Sequence, residues 1–472
     1  MKKVIIALIA ILATAQIYAQ TIEGQWNGAL DIQGTQLRLV FNITKKDTGI
    51  VATMDSPDQG AKGIPMTSAN FINGVLNIVA ANMKMTYEGT LADNTIKGEF
   101  KQNGMKLPLN LSREKIEKKA LLRPQEPTKP YPYYTEDVVF ENKSAKINLA
   151  GTLSLPKKDG QFPVVVLITG SGPQNRDEEL LGHKPFLVLA DHLTKNGIGV
   201  LRFDDRGIAQ SKGDFKTATS ADFATDVEAA VNYLMTRNDV DKKHIGLVGH
   251  SEGGAIAPMV AAKSKDVNFI VLLAGTGISG DKLLLLQKEL IEKAMGVSDV
   301  DIQKGQKVNA GAFEIIKKAQ STVRKDSLGE GGKQGLSDYF KKMLAENPAL
   351  KPKEMSVETF LETQIAPFAS PWMQYFIKYD PSLVLKNVKC PVLALNGSKD
   401  LQVPSKVNLE AIKKGLEMGK NKNVTTKELP NLNHLFQECT TGSPEEYAKI
   451  EQTFSPMALN EVSNWILKQV KM

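Results

Sequence analysis

The sequence predicts an α/β protein, in which helices cover both faces of a mainly parallel sheet, preceded by a small all-β barrel or sandwich. Five continuous apolar runs alternate with helical stretches after residue 136; they read VVVLITG, GIGVLRF, HIGLVGH, FIVLLAG and PVLALNG. Runs of this kind are typical of parallel strands buried on both faces. Before residue 113 the apolar runs are shorter and alternate in polarity, which is typical of small antiparallel domains.

The first 19 residues have the pattern of a secretory signal peptide. Lys2 and Lys3 precede an apolar core of about 12 residues, and Ile17 and Ala19 fit a cleavage site after Ala19. A helix that spans a membrane needs about 20 apolar residues. We therefore expect a soluble, exported protein, periplasmic or secreted, without a membrane span.

The β-rich domain is expected at residues 20–113. In LRLVFNI, the apolar residues Leu37, Leu39 and Phe41 fall on one face of a strand. We expect Trp26 in the core of this domain, with ligand stacking as the alternative. A charged and then proline-rich stretch follows and predicts a linker at residues 114–135.

The α/β domain is interrupted by a helical segment. Its first part covers residues 136–277 and its second part residues 386–472. Between them, residues 278–385 carry helical patterns such as DKLLLLQKELIEKAM and SDYFKKMLAE with no strand pattern. We expect this segment to fold as a helical cap inserted into the α/β domain.

The composition gives little reason to expect a nucleic-acid or membrane partner. The net charge is +7, and without Lys2 and Lys3 the chain has 57 basic and 52 acidic residues, a charge of +5. The lysines are scattered rather than clustered, which is typical of a solvated surface. The two cysteines do not have metal-ligand spacing, so we expect no metal and no cofactor.

The segment IGLVGHSEGGAIAPMV places a serine where a strand turns into a helix. In a nucleophile elbow, the residues two before and two after the serine must be small, and Gly249 and Gly253 meet this requirement around Ser251. A serine hydroxyl is a weak nucleophile until a base removes its proton. The segment therefore predicts Ser251 as an activated nucleophile.

An elbow serine requires an acid and then a histidine further along the chain. His434 is the only histidine after Ser251, and it follows the last strand in ELPNLNHLF. Asp400 follows the preceding strand in LNGSKDLQVP. We predict a catalytic triad of Ser251, Asp400 and His434, with Glu428 and Asp380 as weaker candidates for the acid.

The tetrahedral intermediate of acyl transfer needs N–H donors for its negatively charged oxygen. One donor is expected from the backbone of Glu252, directly after the nucleophile. The second is expected from the loop TGSGPQNRD, where we assign Ser171, with Gly172 as the alternative. A phosphate-binding loop is less favoured, because the G-K-[ST] and G-x-G-x-x-G patterns are missing.

Two neighbouring features are expected to be structural. In FDDRG, Asp204, Asp205 and Arg206 predict an ion-pair network that braces the site, with Arg176 and Asp177 as further members. Contact with substrate is the alternative role for this segment. His250 is expected to point away from the reaction and to pack against its surroundings.

Residues 136–472 resemble the α/β-hydrolase superfamily. The motifs that carry the resemblance are T-G-S-G-P-x-x-R-D, R-F-D-D-R-G-x-x-x-S, G-H-S-E-G-G, G-x-x-D-x-x-V and P-N-L-N-H-L-F. Together they are similar to those of secreted bacterial serine esterases related to the prolyl-oligopeptidase-like hydrolases. The resemblance implies that Ser251, Asp400 and His434 form the triad, and that the insertion covers the active site, with PWMQYFIKYDP near the mouth of the pocket.

The expected activity is hydrolysis of a small carboxylic ester through an acyl-enzyme. A serine peptidase or amidase that acts on short peptides is the alternative, and it would need a group in the cap, such as Glu358 or Glu362, to hold a free amino terminus. A binding protein that keeps the fold without catalysis is the alternative from another class. The sequence does not predict the oligomeric state.

Overall fold

The computed structural model describes residues 21–32, 35–47, 49–102, 105–117, 122–319, 329–351 and 355–471. The predicted signal peptide, residues 1–19, lies outside this set. The chain divides into two compact units, Met1–Ala120 and Leu121–Met472. In the described residues, no helix combines the length and the apolar character that crossing a membrane requires.

The first unit is an antiparallel barrel. Its described strands are β1 (Gly24–Ile32), β2 (Thr35–Lys46), β3 (Gly49–Ser56), β4 (Ala61–Pro65), β5 (Ser68–Ile72), β6 (Val75–Ala80), β7 (Met85–Ala92), β8 (Thr95–Gln102) and β9 (Met105–Ser112). Eight strands close in the order β1, β2, β3, β5, β6, β7, β8, β9, and Asn27 of β1 pairs with Ser112 of β9. Strand β4 pairs only with β3, beside the ring.

Alternating side chains fill the interior of the barrel. Leu39, Phe41 and Ile43 of β2 are buried, as the two-residue period predicts, and Leu37 packs against the same core. Trp26 is 1% exposed, and its indole Nε1 donates to the carbonyl oxygen of Ile22 at 2.7 Å. Trp26 therefore belongs to the core, as expected from the sequence.

The second unit contains an eight-stranded sheet with helices on both faces. Its strands are β10 (Tyr134–Asn142), β11 (Ile147–Leu155), β12 (Phe162–Ile168), β13 (Gly199–Phe203), β14 (Val240–His250), β15 (Phe269–Leu273), β16 (Val392–Gly397) and β17 (Val424–Leu429). They lie in the order β10, β11, β13, β12, β14, β15, β16, β17. The pairs from β13 to β17 are parallel, and β10 and β11 are antiparallel additions.

The helices of this unit follow the strands in chain order. They are α1 (Pro185–Lys195), α2 (Ser220–Thr236), α3 (Gly253–Ala261), α4 (Gly280–Ala294), α5 (Asp299–Lys318), α6 (Gly329–Glu346), α7 (Val357–Ile365), α8 (Pro371–Lys378), α9 (Ser382–Leu385), α10 (Ser405–Met418), α11 (Pro444–Tyr447) and α12 (Pro456–Val470). Helices α1 and α12 share one core with the sheet, and α2, α3 and α10 share the core on the other face. Strand β12 divides its side chains between the two cores, because Val164 and Val166 face one and Val165 and Leu167 face the other.

The long helical segment lies between β15 and β16. Helices α4 to α8 have a small apolar core of their own, which includes Phe313, Phe340 and Phe368. Helices α4 and α8 also meet Val403, which follows β16, in a separate apolar cluster. This second cluster connects the inserted helices to the carboxyl edge of the sheet.

Candidate active site

The predicted nucleophile sits on a strained turn between β14 and α3. Ser251 has φ of 52°, in the left-handed region that is costly for residues other than glycine. A Cβ atom at Gly249 would lie 2.0 Å from the carbonyl oxygen of Gly253. A Cβ atom at Gly253 would lie 2.1 Å from the carbonyl oxygen of Ile168, at the end of β12. Only glycine allows the strand, the turn and the helix to approach this closely.

The predicted acid and base are joined by a hydrogen bond. Asp400 follows β16 and His434 follows the adjacent strand β17, and Nδ1 of His434 lies 2.8 Å from Oδ2 of Asp400. Each residue is 4% exposed. The other carboxylate oxygen of Asp400 accepts from the backbone N–H groups of Gln402 and Val403, at 2.8 Å each. With Nδ1–H directed at Asp400, Nε2 of His434 is left as the basic nitrogen.

Three of the predicted residues line one cavity of about 50 Å³: Ser171, Ser251 and Glu252. The rest of its lining comes from Thr276 after β15, from Gln402 and Val403 after β16, and from Leu283, Leu284, Gln287, Trp372 and Phe376 of helices α4 and α8. The last two of these residues belong to the PWMQYFIKYDP segment that the resemblance placed near the pocket. The inserted helices therefore form one wall of the cavity at Ser251.

The proposed oxyanion donors lie on both sides of Ser251. The loop that carries Ser171 follows β12, and a Cβ atom at Gly170 would lie 3.3 Å from Cβ of Ser251. The backbone N–H groups of Ser171 and Glu252 have no hydrogen-bond acceptor among the described residues. Gly172, the alternative donor, has φ of 99° and lies next to the cavity lining.

Glu178 and His250 connect the oxyanion loop to the loop of His434. Oε1 of Glu178 accepts from the Gly170 N–H at 2.6 Å and lies 2.9 Å from Nδ1 of His250. Nε2 of His250 lies 2.9 Å from the carbonyl oxygen of His434. A carbonyl oxygen only accepts, so Nε2 of His250 carries a hydrogen.

This geometry favours a protonated His250, because an oxygen of the Glu178 carboxyl group and the carbonyl oxygen of His434 face its two ring nitrogens. Burial alone lowers the pKa of His250, but the Glu178 carboxylate and the His434 carbonyl outweigh burial and hold that pKa above its usual value. His250 was expected to pack against its surroundings, and its ring does lie against His434 and Phe436, but both ring nitrogens also make hydrogen bonds that were not predicted. Glu178 was not identified from the sequence; its position close after the oxyanion loop is the only hint the sequence contains.

Asp205 holds the same loop at two points, its first residue and its middle. Its carboxyl accepts from the Thr169 hydroxyl at 2.7 Å and from the Gln174 N–H at 2.9 Å. Burial raises the pKa of Asp205 to about 8, and the nearby carboxyls of Glu252 and Glu178 add to this effect. Asp205 was predicted in an ion-pair network, but its described partners are uncharged.

The other members of that network do form ion pairs. Arg176 of the loop binds Asp204 with 2.7 Å between Nη2 and Oδ2, and Arg206 binds Asp226 of α2 at 2.7 Å. Asp177 pairs with Arg202 of β13. The predicted ion pairs therefore exist, but as separate pairs: two fix the oxyanion loop to β13 and the residue that follows it, and the third fixes the FDDRG segment to α2.

Glu252 links the nucleophile turn to an inserted helix. Its Oε1 accepts from the hydroxyl of Ser220 at 2.6 Å and from the indole N–H of Trp372 at 2.7 Å. Burial raises the pKa of the Glu252 carboxyl. The Trp372 ring stacks on Phe376 with 5.2 Å between the ring centres. Glu252 thus lines the cavity and also anchors α8 through its side chain.

No group of three or more His, Cys, Asp or Glu side chains in the described part of the chain is arranged to hold a metal ion.

The chain is similar to known hydrolases. A family model described as "Serine aminopeptidase, S33" matches residues 184–328. Esterase EstD of Thermotoga maritima is 26% identical over 342 residues, which cover 71% of this chain and 70% of EstD. An uncharacterised 31.7 kDa protein of Escherichia coli, from the traX-finO intergenic region, is 24% identical over 258 residues, which cover 53% of this chain and 77% of that protein.

Solved structures of esterases are also similar. Est1E from Butyrivibrio proteoclasticus, with bound ferulic acid, is 17% identical, with 71% of this chain and all of that chain covered and a TM-score of 0.41. The Pyrococcus furiosus esterase Pf2001 is 17% identical; the match covers 71% of this chain and 93% of Pf2001, with a TM-score of 0.40. The strand order and the helical layers of the second unit are those of the α/β-hydrolase fold, so the predicted fold class is confirmed.

Gly249→Ala tests the close approach at the turn. The added methyl group would clash with the backbone of Gly253, so we expect a loss of roughly 3 kcal/mol in stability, or roughly 5–10 °C in melting temperature. Gly305→Ala in α5 is the control, since its Cβ would meet only the Lys288 side chain at 3.5 Å. Equal melting temperatures for Gly249→Ala and the wild type would contradict the packing described here.

Asp205→Asn tests the protonation of the buried carboxyl. Between the usual carboxyl pKa near 4 and the raised value of about 8, the folded protein keeps a proton that the unfolded chain has released. Stability should therefore fall as pH rises through this window, and Asp205→Asn should reduce that fall. Melting temperatures at pH 5 and pH 8 measure this fall in stability, and Asp159→Asn, at an exposed position, is the control. If Asp205→Asn had the same pH dependence as the wild type, Asp205 would not carry the proton.

Proposed function

We propose that this protein is a serine hydrolase that cleaves carboxylic esters through Ser251, His434 and Asp400. The observation that carries the proposal is the arrangement at one sheet edge. A serine on a strained, glycine-flanked turn lines a cavity after β14, while a buried, hydrogen-bonded Asp400 and His434 follow β16 and β17. This is the chain order and placement that an elbow nucleophile requires of its partners.

The mechanism follows from the role of each group. Nε2 of His434 removes the proton of the Ser251 hydroxyl, and Oγ attacks the ester carbonyl carbon. The N–H groups of Glu252 and Ser171 stabilise the oxyanion, with Gly172 as the alternative second donor. His434 then gives the proton to the leaving alkoxide, and the alcohol departs. Water, deprotonated by His434, attacks the acyl-enzyme; the bond to Ser251 Oγ breaks, His434 returns the proton to Oγ, and the acid is released. Asp400 orients the imidazole throughout.

The lining of the cavity supports an ester rather than a peptide substrate. Recognition of a free amino terminus requires an anionic side chain at the site. Glu252 is the only carboxylate that lines the cavity in the described residues, and its Oε1 already binds Ser220 and Trp372. Burial also favours its neutral form, which binds an ammonium group poorly. The similarity to esterase EstD over most of both chains agrees with an ester substrate.

Cleavage of short peptides or amides is the second candidate function. It is supported by the match of residues 184–328 to the model described as a serine aminopeptidase. It would need a group on the inserted helices to bind the amino terminus. The expected acids Glu358 and Glu362 lie on α7 and are exposed, and neither lines the cavity at Ser251.

We also propose that the protein is exported and that it is an enzyme rather than a binding protein. The residue pattern before position 20 supports export to the periplasm or beyond the cell. The buried hydrogen bond between His434 and Asp400 argues against a binding protein that only keeps the fold, because it orients the imidazole that catalysis uses.

Ser251→Ala should lower kcat for p-nitrophenyl acetate at least about a thousand-fold, because no other group replaces the attacking oxygen. Far-ultraviolet circular dichroism and the melting temperature should stay close to those of the wild type. Ser144→Ala, at an exposed serine, is the matched control and should keep full activity.

A parallel assay with aminoacyl p-nitroanilides separates the two candidate functions. Ester turnover that disappears in Ser251→Ala, without anilide cleavage, is the expected result. Efficient anilide cleavage by the wild type would replace the ester proposal with the peptidase. Ester turnover that persists in Ser251→Ala would remove the nucleophile assignment itself.

A further inference from the structure

A second cavity of about 540 Å³ lies within the inserted helices. It is an open groove between α4, α5, α6 and α8, and it is bounded on one side by α7 and the turn that follows it. Most of its lining is apolar, including Ile291, Val308, Phe313, Phe340, Phe368 and Met373. Ligand sites in proteins are commonly concave and mostly apolar, with few polar groups.

The groove adjoins the cavity at the nucleophile. Leu284 and Gln287 of α4 line both spaces. On α8, Trp372 lines the nucleophile cavity and its neighbour Met373 lines the groove. Helices α4 and α8 thus line both spaces, and Leu284 and Gln287 form the partition between them.

The charges of the groove compensate one another. Its lining contains one cation, Lys288, and one anion, Glu292, which are paired along α4. The described lining therefore offers no unpaired charge to an ionic ligand. An uncharged, apolar group is the chemical class that this surface fits, because burying it displaces water from apolar side chains at no electrostatic cost.

The cavity at Ser251 is much smaller than the groove. Its volume of about 50 Å³ gives room for only about three to five water molecules. It can hold the reacting carbonyl and a few carbon atoms, but not a long chain. A longer substituent must extend beyond this cavity, and the groove is an apolar space that shares Leu284 and Gln287 with it.

We propose that the groove binds a hydrocarbon chain of the ester substrate, which makes medium-chain esters the substrate class. This inference rests on the proposed function. The partition includes a polar contact that the chain must pass, since Nε2 of Gln287 donates to Oε1 of Gln402 at 3.1 Å. Gln402 belongs to the Asp400 loop, so the passage lies beside the catalytic acid.

Two substrate pairs test the proposal on the full chain. p-Nitrophenyl octanoate against acetate places the chain on the acyl side, and octyl acetate against ethyl acetate places it on the alcohol side. We expect the wild type to prefer the octyl member of at least one pair by about tenfold in kcat/KM. Asn309→Trp should fill the groove and lower that preference about tenfold, while Leu284→Ala should widen the partition and raise it.

Gln303→Trp is the matched control, because it adds the same side chain at an exposed position on the same helix. It should leave both preferences unchanged. The groove proposal would be overturned if neither Asn309→Trp nor Leu284→Ala altered the two preferences. If acetate turnover still depended on Ser251, the proposed function would remain standing.

Binding provides a readout that does not depend on turnover. Ser251→Ala should bind p-nitrophenyl octanoate or octyl acetate in a titration at least about fivefold more tightly than the corresponding short ester. Adding Asn309→Trp to Ser251→Ala should remove this difference. Equal affinities for the long and short esters in Ser251→Ala would overturn the proposal even if the wild type hydrolysed neither.

Discussion

The close approach of three backbone segments at Ser251 is the constraint on which the site depends. Gly249 and Gly253 leave no room for a Cβ atom, and Gly253 lies against the carbonyl oxygen of Ile168, where the oxyanion loop begins. The same contact therefore sets the φ of Ser251, the start of α3 and the position of the loop. Small residues are needed here for geometry, and the strain of the turn exposes the hydroxyl above the sheet.

Buried polar side chains extend this constraint to the rest of the site. Glu178 binds the start of the oxyanion loop and His250, and His250 binds the carbonyl oxygen of His434. Asp205 fixes the loop through Thr169 and Gln174. Unpaired polar groups are costly when buried, so each of these bonds also selects one loop conformation. The base and the oxyanion donors are thereby positioned by residues outside the proposed triad.

The sequence predicted those parts of the fold and site that depend on local patterns. Continuous apolar runs gave the parallel strands, and the spacing of Gly249, Ser251 and Gly253 gave the turn. It did not predict Glu178 or the role of His250, because their bonds join residues 72 and 184 positions apart in the chain. The closure of the barrel and the groove among α4 to α8 also depend on tertiary packing, which helical and strand periods do not encode.

The central claim is that Ser251 is a nucleophile activated by His434 and Asp400. Reaction with diethyl p-nitrophenyl phosphate tests it directly, since the phosphoryl group is transferred to an activated serine and p-nitrophenolate is released. Peptide mass mapping should find one diethylphosphoryl group per chain, on Ser251, and Asp400→Asn should slow its attachment at least about a hundredfold. A label on another residue, or a labelling rate that Asp400→Asn leaves unchanged, would contradict the account.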